Sequence, residues 1–198
     1  MKNDHRVRLT KLLLHQSLLE LMGERPFEKI TVKELCEKAD INRATFYAHY
    51  TDTGALLQEI KDEVTQAILR SVNTTLPQKN QQQTVLEICQ SILENRKYCE
   101  VLFGRYGDET FLASIIGVAR EQSILMWKKE NPKANDAVLE RLYAFISHGS
   151  VAVIRQWVQG GMTEPPEAIA AFIEGVSQAA FVNGSLEKIW EPKRPSKA

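Results

Sequence analysis

Between Asn42 and His49 the chain gathers side chains suited to bonding phosphates and base edges: Asn42, Arg43, Thr45, Tyr47 and His49, with Ala44 and Ala48 among them. A helix from Arg43 to about His49, capped by Asn42, turns Phe46 and Tyr50 inward, four residues apart. Ala44, Thr45 and Ala48 then face outward. They are small enough to let a helix approach base edges closely. Thr45 can donate and accept, and a thymine methyl can sit against Ala44. Arg43, at the helix start, can swing to a guanine or a phosphate. Tyr47 and His49 flank this face within reach of backbone phosphates, although the Tyr47 ring could also pack on the first helix. The implied chemistry is that of a helix laid in the major groove of duplex DNA.

So short a helix needs elements to hold it. Thr31 followed by Glu34 reads as a capping box, and Val32, Leu35, Cys36 and Ala39 follow on one helical face. Asp40 and Ile41 form the break. A first helix over about residues 4–22, ended by Gly23, supplies Val7, Leu14, Leu18 and Leu21 to the same core, with Phe27 and Ile30 packing in from the connection. The N–H groups at the Thr31 helix start, with Lys33 and Lys29 nearby, offer a second phosphate site.

Residues 30–50 resemble the DNA-binding signature of the tetracycline-repressor (TetR) family of bacterial regulators. The likeness runs through Ile30-Thr31-Val32, Leu35 and Ala39, then Ile41-Asn42-Arg43-Ala44-Thr45-Phe46-Tyr47 and His49-Tyr50. The step from Gly23 to Phe27 before it and Leu56-Leu57 after it agree. The specific part covers about the first 60 residues. The resemblance implies a homodimer through the last two long helices, and a small molecule that enters the C-terminal core, shifts the linking helix (here residues 56–72) and spreads the two recognition helices. One position departs. Where the family usually places a phosphate-clamping lysine at the start of the fourth helix, this chain has Thr53, followed by Gly54. A weaker electrostatic contribution follows, with more reliance on Arg6, Arg8 and Lys11.

Composition sets wider bounds. The 198 residues carry 25 basic and 25 acidic side chains, a net charge of zero. Residues 1–50 hold nine Lys and Arg against seven Asp and Glu, a net +2, and the remainder is −2. A local arrangement of charge, not a bulk excess, must therefore meet the DNA. The three cysteines, Cys36, Cys89 and Cys99, have neither zinc nor CxxC spacing and read as buried thiols of a reducing cytosol, with a redox role for Cys89 and Cys99 left open. The N-terminus lacks a signal-peptide pattern, and no apolar run approaches the ~20 residues that span a bilayer. A cytoplasmic protein without membrane attachment, cofactor or metal is expected.

The whole chain reads as all-α, with about nine helices. Residues 1–52 form the helix-turn-helix head, residues 53–185 a regulatory and dimerisation domain, and residues 186–198 a flexible tail. After the linking helix, a loop over residues 76–83 precedes helices near residues 84–95, 98–103, 108–129, 135–159 and 166–182. The last two have broad apolar faces interrupted by small residues: Ala144, Gly149 and Ala152 on one, Ala168, Ala171, Gly175, Ala179 and Ala180 on the other. One side can cover the chain's own core, and the other fits a second copy across a two-fold axis.

A hydrophobic or amphipathic effector is expected, with Cys89, Tyr98, Phe103, Phe111, Ile115, Trp127, Phe145, His148 and Trp157 as candidates to line its pocket. An enzyme is disfavoured: His148-Gly149-Ser150 lacks the nucleophile-elbow pattern, and HExxH and phosphate-loop motifs are absent. The reading is thus a DNA-binding transcriptional regulator, a repressor released from a palindromic operator by a small molecule. The alternative is a helical protein-interaction module that ignores DNA.

Overall fold

In a computed structural model, residues 2–73, 81–117, 120–130, 132 and 134–181 are described. Among them no strand occurs, and ten α-helices follow one another. They are α1 (Lys2–Glu24), α2 (Val32–Ala39), α3 (Arg43–Tyr47), α4 (Thr53–Asn73), α5 (Gln81–Glu94), α6 (Arg96–Leu102), α7 (Glu109–Gly117), α8 (Arg120–Glu130), α9 (Asp136–Gln159) and α10 (Pro166–Phe181). The single helix expected over residues 108–129 is described as α7 and α8, with residues 118–119 between them outside the described set. The tail over residues 186–198 and residues 76–80 of the expected loop also lie outside it, and α5 begins at Gln81, inside that expected loop.

Gly23 does not end α1. The helix passes through it to Glu24, and the stop is Pro26, which lacks an N–H and drives Arg25 out of helical geometry. A single 3-10 turn (Phe27–Lys29) then leads to Ile30. Leu14, Leu18, Leu21, Ile30, Leu35, Cys36, Ala39, Phe46 and Tyr50 are all buried together, so the amphipathic pattern and the packing agree. The same core continues without interruption through Leu56, Ile60, Val64 and Ile68 of α4 into α5, α6, α7, α9 and α10. A separate small cluster joins Trp127 of α8 to Val138 and Leu139 of α9.

The helix α4 is the mechanical link. It packs on α1 at the head and on α5 and α7 in the body. Two ionic ties reinforce it. Lys61 Nζ lies 2.6 Å from Asp108 Oδ2 in the turn before α7. Lys11 Nζ of α1 donates to Glu59 at 2.8 Å. Burial alone would raise the Glu59 carboxyl, but the Lys11 ammonium overrides it and holds the group below its ordinary range. Buried His15 stands between Glu59 and Glu63, 3.8 and 3.7 Å from them, and burial pushes its ring below the usual histidine value.

All three cysteines are buried and free. Burial pushes Cys89 and Cys99 up to about 12, so thiolate is scarce at neutral pH and neither is primed for redox chemistry. Ser91 of α5 is 1% exposed, and its hydroxyl finds no partner among the described residues. An unsatisfied buried hydroxyl costs about 1–3 kcal/mol. Ser91→Ala should therefore stabilise the chain by about 1 kcal/mol, raising the melting temperature by roughly 2–4 °C in a scanning melt.

Candidate nucleic-acid interface and effector cavity

The helix-turn-helix is built from local hydrogen bonds. Glu34 N donates to Thr31 Oγ1 at 3.3 Å and Thr31 N donates to Glu34 Oε2 at 3.0 Å, completing the capping box. The hydroxyl of Thr31 also donates to Glu34, at 2.7 Å. These bonds from Thr31, aided by Arg25, hold the Glu34 carboxyl below its usual value. Asp40 closes α2 in the left-handed region, with φ of 53°, and directs the chain into α3. There Asn42 caps α3 by accepting from Ala44 N at 2.8 Å.

The outward face of α3 is open. Phe46 is fully buried, while Arg43, Ala44, Thr45 and Ala48 are exposed. Tyr47 is 58% exposed and stands edge-on to the Phe46 ring at 5.4 Å. His49 and Thr53 are half-buried beside it. Thr31 and Lys33 are exposed at the start of α2, and the capping box uses the N–H of Thr31 and Glu34 but not those of Val32 and Lys33. Asn42 has its side-chain oxygen committed to the cap, which leaves its amide nitrogen for a phosphate. The N-terminal arm changes the charge picture: Arg6 is exposed, but Lys11 is held by Glu59 and is not available to DNA.

Asp52 escaped the sequence reading. Its Oδ1 accepts from Ala55 N at 2.8 Å, so Asp52 caps α4 and the helix begins at Thr53 rather than near Leu56. An aspartate three residues ahead of an apolar helical run was the available signal. Its carboxylate sits at the anion-favouring end of α4, next to the position where the family carries a lysine. Thr53→Lys should therefore tighten operator binding. It should also steepen the salt dependence of log K by about 0.9 per added phosphate contact, roughly 2 for a dimer, in gel shifts across a salt series.

A cavity of about 80 Å³ opens between the helices of the body. Thr84, Val85 and Ile88 line it from α5, Ile116 from α7, and Ser123, Met126 and Trp127 from α8. Tyr143, Ile146, Ser147, Ser150 and Ile154 of α9 and Ile173 of α10 complete it. The α9 residues recur at three- and four-residue spacing, which makes one inner stripe. Phe145 and His148 fall off that stripe. Phe145 is 72% exposed, and His148 is exposed with its Nδ1 2.7 Å from Ala144 O.

The structure does not gather the pocket candidates read from the sequence. Of them, Trp127 lines the cavity. Cys89, Phe103, Phe111, Ile115 and Trp157 are packed into the main core, and Tyr98 lies half-buried against it. Thr84, Ile88, Tyr143, Ser150 and Ile154 were not foreseen. Large and small side chains alike wall the gap, from Trp127 and Tyr143 to Ser150.

Outward from this stripe, α9 and α10 expose Phe145, Phe172 and Val176, with Gly149, Ala152, Ala168, Ala171, Gly175 and Ala179 among them. A Cβ built on Gly149 or Gly175 meets nothing within 4 Å. Helix α9 is 24 residues long and holds an 18-residue window of mean hydropathy 1.3, which meets a membrane-span criterion by length and composition only. Only 17% of the apolar window is buried within the protomer.

Only one group of three metal-capable side chains converges among the described residues: His15, Glu59 and Glu63, with donor atoms within 4.8 Å of one another. The two carboxylates face different ring nitrogens, and Lys11 already neutralises Glu59. The group reads as an ionic joint between α1 and α4.

Comparison with known proteins converges on one group. Residues 16–60 match the model described as bacterial regulatory proteins, tetR family, and residues 79–178 match a TetR-type transcriptional regulator C-terminal region. The uncharacterized HTH-type transcriptional regulator YxbF of Bacillus subtilis (strain 168) is 25% identical over 175 residues, which is 84% of this chain and 44% of that protein. The chain thus spans about half the length of this curated relative. Among solved structures, a TetR transcriptional regulator from Streptococcus agalactiae 2603V superposes with a TM-score of 0.65 at 17% identity, covering 89% of this chain and 98% of that one. The dihydroxyacetone kinase operon activator DhaS does so with a TM-score of 0.59 at 18% identity, covering 92% and 98%. With a family helix-turn-helix at one end and a family C-terminal region covering half its length, the chain belongs to the TetR family of bacterial transcription regulators.

Proposed function

We propose that this regulator is a repressor that holds a palindromic operator as a homodimer and leaves it when a small molecule fills the cavity among α5 and α7 to α10. Residues 1–52 are the DNA-binding head and residues 53–185 the regulatory and dimerisation domain. With DNA as its partner, it works in the bacterial cytoplasm.

The observation that carries the reading is the exposed Ala44–Thr45 pair set over a fully buried Phe46. Ala44, Thr45 and Arg43 would meet base edges. Thr31, Lys33, Asn42, Tyr47, His49 and Thr53 would position the helix on phosphates. One α3 of five residues reaches few bases, each good pair worth about 1–3 kcal/mol. Two heads held about 34–36 Å apart, or a multiple, double the contacts and impose register.

A route from cavity to head follows from the packing. Helices α5 and α7 line the cavity and also touch α4, and α4 bears on α1. The Lys61–Asp108 pair fixes α4 to the α7 end. An occupant that moves α7 or α5 must move α4 or strain these contacts. It lowers DNA affinity by its differential affinity for the two arrangements and no more.

The test is a gel shift on duplexes selected from a random pool. A palindromic winner with a fixed spacing is expected. Arg43→Ala and Tyr47→Ala should each weaken binding by about 1–3 kcal/mol per head while the protein stays folded. Unselective binding, or an unchanged shift in both variants, would leave an interaction module as the better account.

A further inference from the structure

We infer that the cavity selects a small uncharged molecule that carries a hydroxyl, such as a neutral alcohol. The inference rests on the effector reading above and narrows it to a chemical class.

Charge decides first. Among the described residues lining the cavity none is Lys, Arg, His, Asp or Glu. An ionised ligand would leave water with no counter-charge to receive it, and desolvation then opposes entry. Size comes second. A cavity of about 80 Å³ holds a few water-sized groups as it stands, so a compact occupant fits and a single ring enters by easing the lining helices apart.

The hydroxyls set polarity. Tyr143 donates to Ile116 O at 2.9 Å, Ser147 to Ala144 O at 3.2 Å and Ser150 to Ile146 O at 2.8 Å. These three protons are spent on backbone carbonyls, so these oxygens keep acceptor capacity, and the hydroxyls of Thr84 and Ser123 line the same cavity. Ser150 is 9% exposed and is the polar side chain among the buried residues of the wall, the others being Ile88, Ile116, Trp127, Ile154 and Ile173. A ligand that donates satisfies it.

Four single-ring probes of similar size separate these statements: benzyl alcohol, ethylbenzene, benzoate and benzylammonium. Their binding is read by titration calorimetry on the full chain. Benzyl alcohol is expected to bind most tightly, with both ions at least about 100-fold weaker. Ser150→Ala should weaken benzyl alcohol by about 10-fold and leave ethylbenzene unchanged. That variant removes only a hydroxyl bonded within its own helix, so its fold is retained. An ion binding as well as the alcohol, no measurable binding of the alcohol, or equal loss of alcohol and ethylbenzene in Ser150→Ala would overturn the class. A gel shift on the same samples judges the effector reading separately. Alcohol binding that leaves the DNA complex intact removes the effector role while the class stands; an ion that binds and releases DNA removes the class while the effector role stands.

Discussion

Phe46→Ala should abolish DNA binding through the fold, and Tyr47→Ala should weaken it through the contact, although the two residues are neighbours. Phe46 is fully buried and packs near both Tyr47 and Tyr50, with ring centroids 5.4 and 5.7 Å away. Truncating a buried phenylalanine costs about 3–5 kcal/mol, a large part of the total stability of a domain. The helix α3 has five residues and cannot stand without its core anchor. Tyr47, 58% exposed, has little to lose. Its truncation should shift stability by no more than about 0.5 kcal/mol. Thermal melts alongside gel shifts check the pair: Phe46→Ala lowers both readouts and Tyr47→Ala only the second. Equal melting losses would mean that Tyr47 is a packing residue.

This contrast also shows which features were legible from sequence. Capping and periodicity are local, so Thr31 with Glu34, Asn42, and the inward Phe46 and Tyr50 could all be read from spacing. The end of α1 was misplaced because Gly23 tolerates a helix at modest cost, whereas Pro26 forbids one. The α4 start was less legible because Thr53 and Gly54, between the Asp52 cap and the first apolar residues, carry no apolar period. The cavity was illegible for a different reason. It is a gap between five helices, and its walls depend on which residues fail to fill space. Aromatic content pointed to Phe145 and Trp157, yet one lies outside and the other donates from its indole to Glu164 O at 2.9 Å within the core. Relative helix rotation decided this, and no short-range pattern records it.

The α1–α4 joint combines both kinds of information. His15, Glu59 and Glu63 are unremarkable separately, and their meeting depends on two helices crossing 44 residues apart. Their location matters for signalling. Whatever moves α4 in response to the cavity must carry the head with it, and Lys11–Glu59 on one side and Lys61–Asp108 on the other make α4 a tied rod. On the proposed reading, a displacement near Ile116 would reach the head through α4 and these two ties.

The outer face of α9 and α10 yields the largest expected change in assembly. Phe145, Phe172 and Val176 are exposed at 72, 58 and 50%, with glycine and alanine among them. A protomer gains nothing from two phenylalanines in water, but a two-fold contact on this face would bury both from each protomer, and the small residues would let the backbones close. Burying one such side chain contributes about 1.5–3 kcal/mol. Phe145→Glu with Phe172→Glu removes four of them per dimer, a loss of roughly 6–12 kcal/mol before any charge repulsion. Every ~1.4 kcal/mol is tenfold in the dissociation constant, so the double variant should be monomeric at micromolar concentration by light scattering. Both positions are exposed in the single chain, so the helical circular dichroism should persist. Operator binding should fall to that of one head, since the second half-site no longer arrives in register. A double variant that remains dimeric would place the interface elsewhere. A monomer that binds the full operator undiminished would show that pairing is not what gives the two heads their common register.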